Sequence, residues 1–144
     1  MATQTLYGLG IEKIFKQSID WLNDTIKVAL VTSTYTPAQD THDFWDDVSA
    51  NEASGTGYTA GGETLGSKTI TYDAATNEVR MDAGDVQWSS ATITARYAVT
   101  YKDTGDAATS PLVGYIDFAT DQSSSNGNFN LTFAANSVFK ATVA

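Results

Sequence analysis

The run Thr92-Ile93-Thr94-Ala95-Arg96-Tyr97-Ala98-Val99-Thr100-Tyr101-Lys102 alternates apolar and polar side chains with a period of two. Ile93, Ala95, Tyr97, Val99 and Tyr101 fall on one face of an extended strand, and Thr92, Thr94, Arg96, Thr100 and Lys102 on the other. The pattern predicts a strand with one core face and one wet face. Shorter alternating pieces lie on either side of it. Downstream, Leu112, Gly114, Ile116 and Phe118 alternate with Val113, Tyr115 and Asp117, and Phe129, Leu131 and Phe133 alternate with Asn128, Asn130 and Thr132. The polar stretch 121–128, which contains Asn126-Gly127, predicts a turn between those two strands. Upstream, strands over 69–72 and 78–82 flank a short polar connection suited to a hairpin, and Val86-Gln87-Trp88 is a brief alternating piece. Residues 138–143 supply a last edge strand.

Nearer the start, Ile26, Val28 and Leu30 alternate with Lys27, Ala29 and Val31, which predicts the first strand. Before it, Tyr7, Ile11, Ile14 and Phe15 recur at helical spacing within residues 5–18, interleaved with Glu12, Lys13, Lys16 and Gln17, so a short amphipathic helix is expected there. Gly8 and Gly10 weaken its first turn by about 1 kcal/mol each. Residues 34–66 carry Pro37, several Asp and paired glycines without sustained periodicity. They form a long loop after the first strand, with one helical turn near 43–48, and a loop of that length is more often functional than idle. Short strands with turn signals and hardly any crossover helix predict a mainly β fold, a single antiparallel β-sandwich, Ig-like or jelly-roll-like. Residues 1–144 form that one domain, with residues 1–20 a helix or docking segment.

Composition removes most chemistry. The 144 residues include 8 basic and 17 acidic side chains, for a formal net charge of −9, so phosphate neutralisation has little to work with and nucleic acid is not an expected partner. There is no cysteine and one histidine, His42, which excludes disulfides, thiolate sites, cysteine nucleophiles and multi-histidine zinc within one chain. No apolar run approaches the roughly 20 residues of a membrane helix, and no secretory leader is recognisable, so a soluble chain away from membranes is expected.

The remaining motifs are weak. In Gly61-Gly62-Glu63-Thr64-Leu65-Gly66-Ser67-Lys68-Thr69, Ser67 separates the glycine from the lysine, and strand rather than helix follows, so the phosphate-loop reading fails. Gly55-Thr56-Gly57-Tyr58-Thr59-Ala60 matches a dinucleotide fingerprint by letters alone. Asp40, Asp43, Asp46 and Asp47 around His42 read as a solvated acidic loop, with weak calcium binding or glycoside hydrolysis as alternatives. No G-x-S-x-G elbow accompanies His42. Phe44 and Trp45 are large apolar side chains in a polar loop, which suits either a protein contact or a lid on the core. Arg96 pairs with an Asp on its own sheet or across a subunit boundary. The sequons at Asn23 and Asn130 lack the secretory context that would glycosylate them. No catalytic, cofactor or metal residues are therefore assigned. The candidate protein-interface residues are Tyr7, Ile11, Ile14, Phe15, Phe44, Trp45 and Arg96, the first four of which contact either the sandwich or a neighbour.

Several segments in order carry a family resemblance. Asp24-Thr25-Ile26-Lys27-Val28-Ala29-Leu30-Val31-Thr32-Ser33, Tyr35-Thr36-Pro37 and Asp40-Thr41-His42-Asp43 are followed by residues 54–62, then Thr71-Tyr72-Asp73, residues 88–99 and Tyr101-Lys102-Asp103-Thr104-Gly105. Together they resemble small virion structural proteins of tailed bacteriophages, described as minor capsid or head decoration proteins. The likeness spans nearly the whole chain after Asp20. It implies a non-enzymatic part that binds the major capsid protein on the assembled head. The negative charge, which would repel packaged DNA, points to the outer surface, and the symmetry of shells to a homo-oligomer, a trimer or a dimer. A tail or head–tail component, and a host-surface or carbohydrate-binding module using the Trp45 loop, are the alternatives.

Overall fold

A computed structural model describes residues 2–143. The fold is mainly β, with two antiparallel sheets. Its strands are β1 (Thr3–Leu6), β2 (Ile26–Val31), β3 (Glu63–Thr64), β4 (Thr69–Asp73), β5 (Glu78–Asp82), β6 (Val86–Lys102), β7 (Leu112–Leu131) and β8 (Phe139–Thr142). Two short helices, α1 (Gly8–Phe15) and α2 (Asp46–Ser49), join them. One sheet has the order β1-β7-β6-β2-β3 and the other β4-β5-β8. The hairpin over 69–82 and the closing edge strand stand where the sequence placed them.

The long strand differs from its expected form. Residues 121–128 are not a turn: they continue β7 and pair with β6, with Thr94 opposite Ser123, Ile93 opposite Ser124 and Ala91 opposite Gly127. Polar side chains bond across this ribbon. The Thr94 and Ser123 hydroxyls lie 2.8 Å apart, the Ser124 hydroxyl donates to the Ala91 carbonyl at 2.9 Å, and Gln87 Nε2 donates to Asn130 Oδ1 at 2.6 Å. Asn126, with φ of 49°, is absorbed in an irregularity of the ladder and does not reverse the chain. Val86-Gln87-Trp88 accordingly begins the same 17-residue strand.

The alternation through residues 92–102 breaks at Arg96. Ala95 pairs with Gln122 but Tyr97 pairs with Asp117, so Arg96 stands opposite the looped-out Phe118-Ala119-Thr120-Asp121. Ala119 there takes a φ of 67°. The bulge reverses the faces. Ile93, Ala95 and Ala98 join one core, whereas Tyr97, Val99 and Tyr101 belong to the other.

The five-stranded sheet thus has a core on each side. On the first side Val28, Leu30, Trp88, Ile93 and Ile116 meet Met81 of β5 and Phe139 of β8, with Trp21 completing the contact. On the second, Ala29, Val31, Val99 and Leu112 are covered by Tyr7, Tyr35, Trp45 and Val48. β2 is consequently buried on both faces, and only Lys27 is partly exposed. Fully burying a large apolar side chain contributes about 1.5–3 kcal/mol, so both covers matter to stability.

The N-terminal segment is correspondingly part of the fold. β1, which precedes the helix and was not expected, pairs with β7, with Thr3 opposite Asp117 and Leu6 opposite Gly114. α1 is shorter than the residues 5–18 expected of it. Gly10 packs against β7 so closely that an added Cβ would lie 2.5 Å from the Leu112 carbonyl oxygen.

Gly62 makes the tightest approach, where the long loop turns into β3. Its φ is 76°, and a Cβ would fall 2.0 Å from the Val28 carbonyl oxygen. Gly62→Ala therefore combines left-handed strain with a backbone clash and is expected to lower stability by about 2–4 kcal/mol in denaturant titration. On the outer face of β4-β5-β8, Glu78 accepts from Lys140 at 2.7 Å and from Arg80 at 2.8 Å, and Arg80 also reaches Asp73 at 2.9 Å. Those hydrogen bonds, Lys140 first and then Arg80, lower the Glu78 pKa from 4.5 to about 2. A depressed carboxylate stabilises the fold above its unfolded pKa, and the contribution drains away as pH falls from about 4.5 to about 2. Thermal melts across that window are expected to fall less steeply in Glu78→Gln than in the parent.

Candidate functional site

The seven residues read as a protein interface do not gather in one place. Tyr7 is completely buried, and its hydroxyl lies 2.7 Å from that of Tyr35, which in turn lies 2.7 Å from Nδ1 of His42. The Ala38 N–H also points at Nδ1, at 3.4 Å, which assigns that nitrogen as an acceptor. Tyr35 then donates to His42 and Tyr7 donates to Tyr35. Burial, reinforced by the bond to Tyr35, pushes the Tyr7 phenol far up. Burial likewise pushes Tyr35 up to about 12. Both stay protonated at neutral pH, so the chain of hydroxyls acts as a strut between the N-terminal segment and the long loop.

Trp45 is also internal. Its ring stacks on Tyr101 with centroids 4.5 Å apart and planes 7° from parallel, so of the two readings offered by its sequence context the structure takes the lid. Phe44, half-buried, bridges to Pro111 and lies under Lys13, whose ammonium sits 4.3 Å from the ring centroid. Tyr7 and Trp45 are thus corrected from interface to core. Arg96 is held within the chain: Nε donates to Asp117 Oδ1 at 2.7 Å and Nη2 reaches Oδ2 at 3.4 Å, across the bulge. This fork-to-carboxylate geometry lowers the Asp117 pKa and raises that of Arg96.

Two of the loop aspartates are taken up in local bonding. Asp43 pairs with Lys13 at 3.3 Å, and Asp47 Oδ2 accepts the Asp43 N–H at 2.9 Å. Among the described residues no group of three or more His, Asp or Glu is placed to hold a metal ion. The glycine-rich segments serve packing: Thr56 accepts from the Thr92 N–H at 2.9 Å, and Glu52 Oε1 receives both the Tyr58 hydroxyl at 2.7 Å and the Gly61 N–H at 2.6 Å. Lys68 donates to the Asp24 carbonyl. A cleft of about 430 Å³ beside β7 has Ile116, Phe118 and Phe129 among its lining residues, with the amides of Gln122, Asn128 and Asn130. Among the described residues its lining carries no ionisable side chain.

What the surface offers instead is apolar. Ile11 and Ile14 are half-buried, with Ile14 packed against the first core, but Phe15 at the end of α1 is 81% exposed. Leu22, Ile70, Tyr72 and Val143 are the other large exposed apolar side chains among the described residues. Ile14 and Ile70 line one shallow cleft with Ile19 and Trp21, which joins the end of α1 to the edge of β4. Sequence reasoning found Phe15 and missed the rest, because alternation tells which face Ile70 and Tyr72 occupy and not whether that face is covered. No helix among the described residues is long and apolar enough to cross a membrane.

No family model, curated protein or solved structure matches the chain. The Tyr7–Tyr35–His42 strut gives a direct check on the packing of the long loop. Tyr35→Phe leaves the buried Tyr7 donor without its acceptor, while His42 Nδ1 keeps only the longer bond from the Ala38 N–H, and a loss of about 1–3 kcal/mol in chemical denaturation is expected.

Proposed function

We propose that the chain is a virion structural protein that binds the assembled head shell of a tailed bacteriophage and stabilises it through contacts with the major capsid protein. The single structural observation behind the proposal is Phe15, the most exposed large apolar side chain among the described residues, on an acidic chain. The resemblance of the ordered segments between Asp24 and Gly105 to head decoration proteins supports the same reading. A ligand that binds only the assembled lattice stabilises it by mass action, and many symmetric copies multiply a weak contact. The net charge of −9 would repel packaged DNA, which favours the outer surface over the lumen.

In this reading Phe15 inserts into a hydrophobic recess on the shell, with Ile14 fixing the helix beneath it. Removing residues 1–18 would not test this, because that cut takes out β1 and Tyr7 and with them part of the sheet and core. Phe15→Asp is the cleaner probe. Purified protein is expected to co-sediment with assembled empty heads and not with unassembled capsid protein. The variant should lose at least about tenfold in affinity, in line with about 1.5–3 kcal/mol for one large apolar side chain, at an unchanged melting temperature. Absence of any binding to heads by the parent protein overturns the proposal.

A further inference from the structure

β4 is an open edge: it pairs with β5 on one side and with nothing among the described residues on the other. Edge strands invite pairing with another chain and are ordinarily guarded by Lys, Pro, bulges or a covering segment. The other edges of the molecule carry such guards. β8 presents Lys140, β3 is two residues long, the far part of β7 is bent at Ala119 and Asn126, and Gln39 bonds the Leu6 carbonyl at the end of β1. β4, Thr69-Ile70-Thr71-Tyr72-Asp73, has no Lys, Pro, Gly or positive φ. Four of its five residues are exposed, including Ile70 at 44% and Tyr72 at 57%.

We infer that β4 pairs antiparallel with β4 of a second copy of this chain about a twofold axis through Thr71. A twofold axis normal to the sheet keeps Ile70 and Tyr72 of both copies on one face, and centring it on Thr71 is the register that pairs all five residues. Ile70 then stands opposite Tyr72 of the partner subunit, an aromatic against a β-branched side chain, which is a favourable cross-strand pair. The two Thr71 side chains face each other, and Thr69 faces Asp73, so no like charges meet across the seam. The pairing joins β8-β5-β4 to its twin as one six-stranded sheet. It sets the partner's Tyr72 beside Ile70, at the cleft that Ile14, Ile19 and Trp21 also line.

Charge points to a second copy as the occupant. Two chains of −9 repel over most of their surfaces. In the segment 68–82 and β8, however, Lys68, Arg80 and Lys140 balance Asp73, Glu78 and Asp82, so the whole of the net charge lies elsewhere in the chain. The edge with the open ladder and the exposed Ile70 and Tyr72 is therefore a place where the pairing strands themselves bring no net charge, with Asp20 the carboxylate that lines the cleft beside Ile70. A strongly cationic partner, by contrast, would meet Lys68, Arg80 and Lys140 in the small sheet.

The purified full chain, with no shell present, tests this independently of the decoration reading. Sedimentation velocity is expected to show a concentration-dependent dimer, and Tyr72→Lys, which places a cation beside Ile70 at an exposed position, should shift it to monomer at an unchanged melting temperature. The chain has no cysteine of its own, so Thr71→Cys reports the register. Directly opposed residues of an antiparallel pair have Cα atoms about 4.5–5.5 Å apart, within disulfide reach, and mild oxidation should cross-link this variant while leaving a Ser125→Cys control monomeric on denaturing gels. A parent that stays monomeric into the millimolar range with no cross-link through position 71 overturns the inference. So does a dimer that persists in Tyr72→Lys.

Discussion

β2 and the adjoining half of β6 are buried on both faces, and the rest of the chain is arranged to satisfy that demand. A strand with apolar residues on both sides needs two covers, and one sheet supplies only one. The first cover is the small sheet, whose Met81 and Phe139 close over Val28 and Leu30. The second is irregular chain: Tyr7, Tyr35, Trp45 and Val48 arrive from the N-terminal segment and the long loop to close over Ala29, Val31 and Val99. Irregular chain brings unpaired backbone and phenol groups into the interior, and these need partners. Tyr35 bonded to Tyr7 and His42, Tyr58 bonded to Glu52, and Tyr101 donating to the Gly61 carbonyl at 2.7 Å meet that need. The tyrosines of the long loop and of the strand beneath it thus serve architecture before anything else.

The same constraint explains which parts of the fold were legible in the sequence. The strands of β2, β4, β5 and β8 could be read because each has simple alternation or β-branched density. The reversal at Arg96 could not, since the letters alternate straight through it and the switch depends on Asp117 standing opposite Tyr97. The polar ribbon of β7 was hidden for a related reason. Ser, Asn and Gly suit a turn locally, and only the facing residues of β6, the Thr92 and Thr94 hydroxyls, the Ala91 carbonyl and the Gln87 amide, which bond to them across the ladder, make them a strand. Double coverage of β2 was half visible: Ala29 and Val31 are apolar, yet Lys27 shares their face and suggests solvent. Lys27 is satisfied at the edge by Asp103 at 2.9 Å, which leaves its neighbours free to be buried.

Of the candidate interface, sequence reasoning found the helix face but not its division. Ile11, Ile14 and Phe15 lie within two turns, and spacing alone cannot say which of them the sheet takes. β7 takes the side that bears Gly10, because that glycine allows the helix backbone against Leu112, and Phe15 is left outward. Trp45 illustrates the opposite case. A large aromatic in a polar loop suggests contact with another molecule, but it finds a partner in Tyr101 of its own chain, and the loop is polar only on its outer side.

Charge completes the division of the surface. The small sheet is electrically balanced and carries the uncovered Ile70 and Tyr72, while the remainder of the chain bears the entire acidic excess. Acidic residues elsewhere keep like chains from meeting at random, as net charge does for soluble proteins generally, and a balanced strip confines any self-association to one register. An apolar strip on a uniformly acidic chain would be opposed by long-range repulsion, and a balanced strip without Ile70 and Tyr72 would lack adhesion. The inferred self-pairing rests on their coincidence on β4, which follows from the ladder that places Arg80 on β5 beside Thr71 and Asp73 while the other edge of β4 pairs with nothing among the described residues.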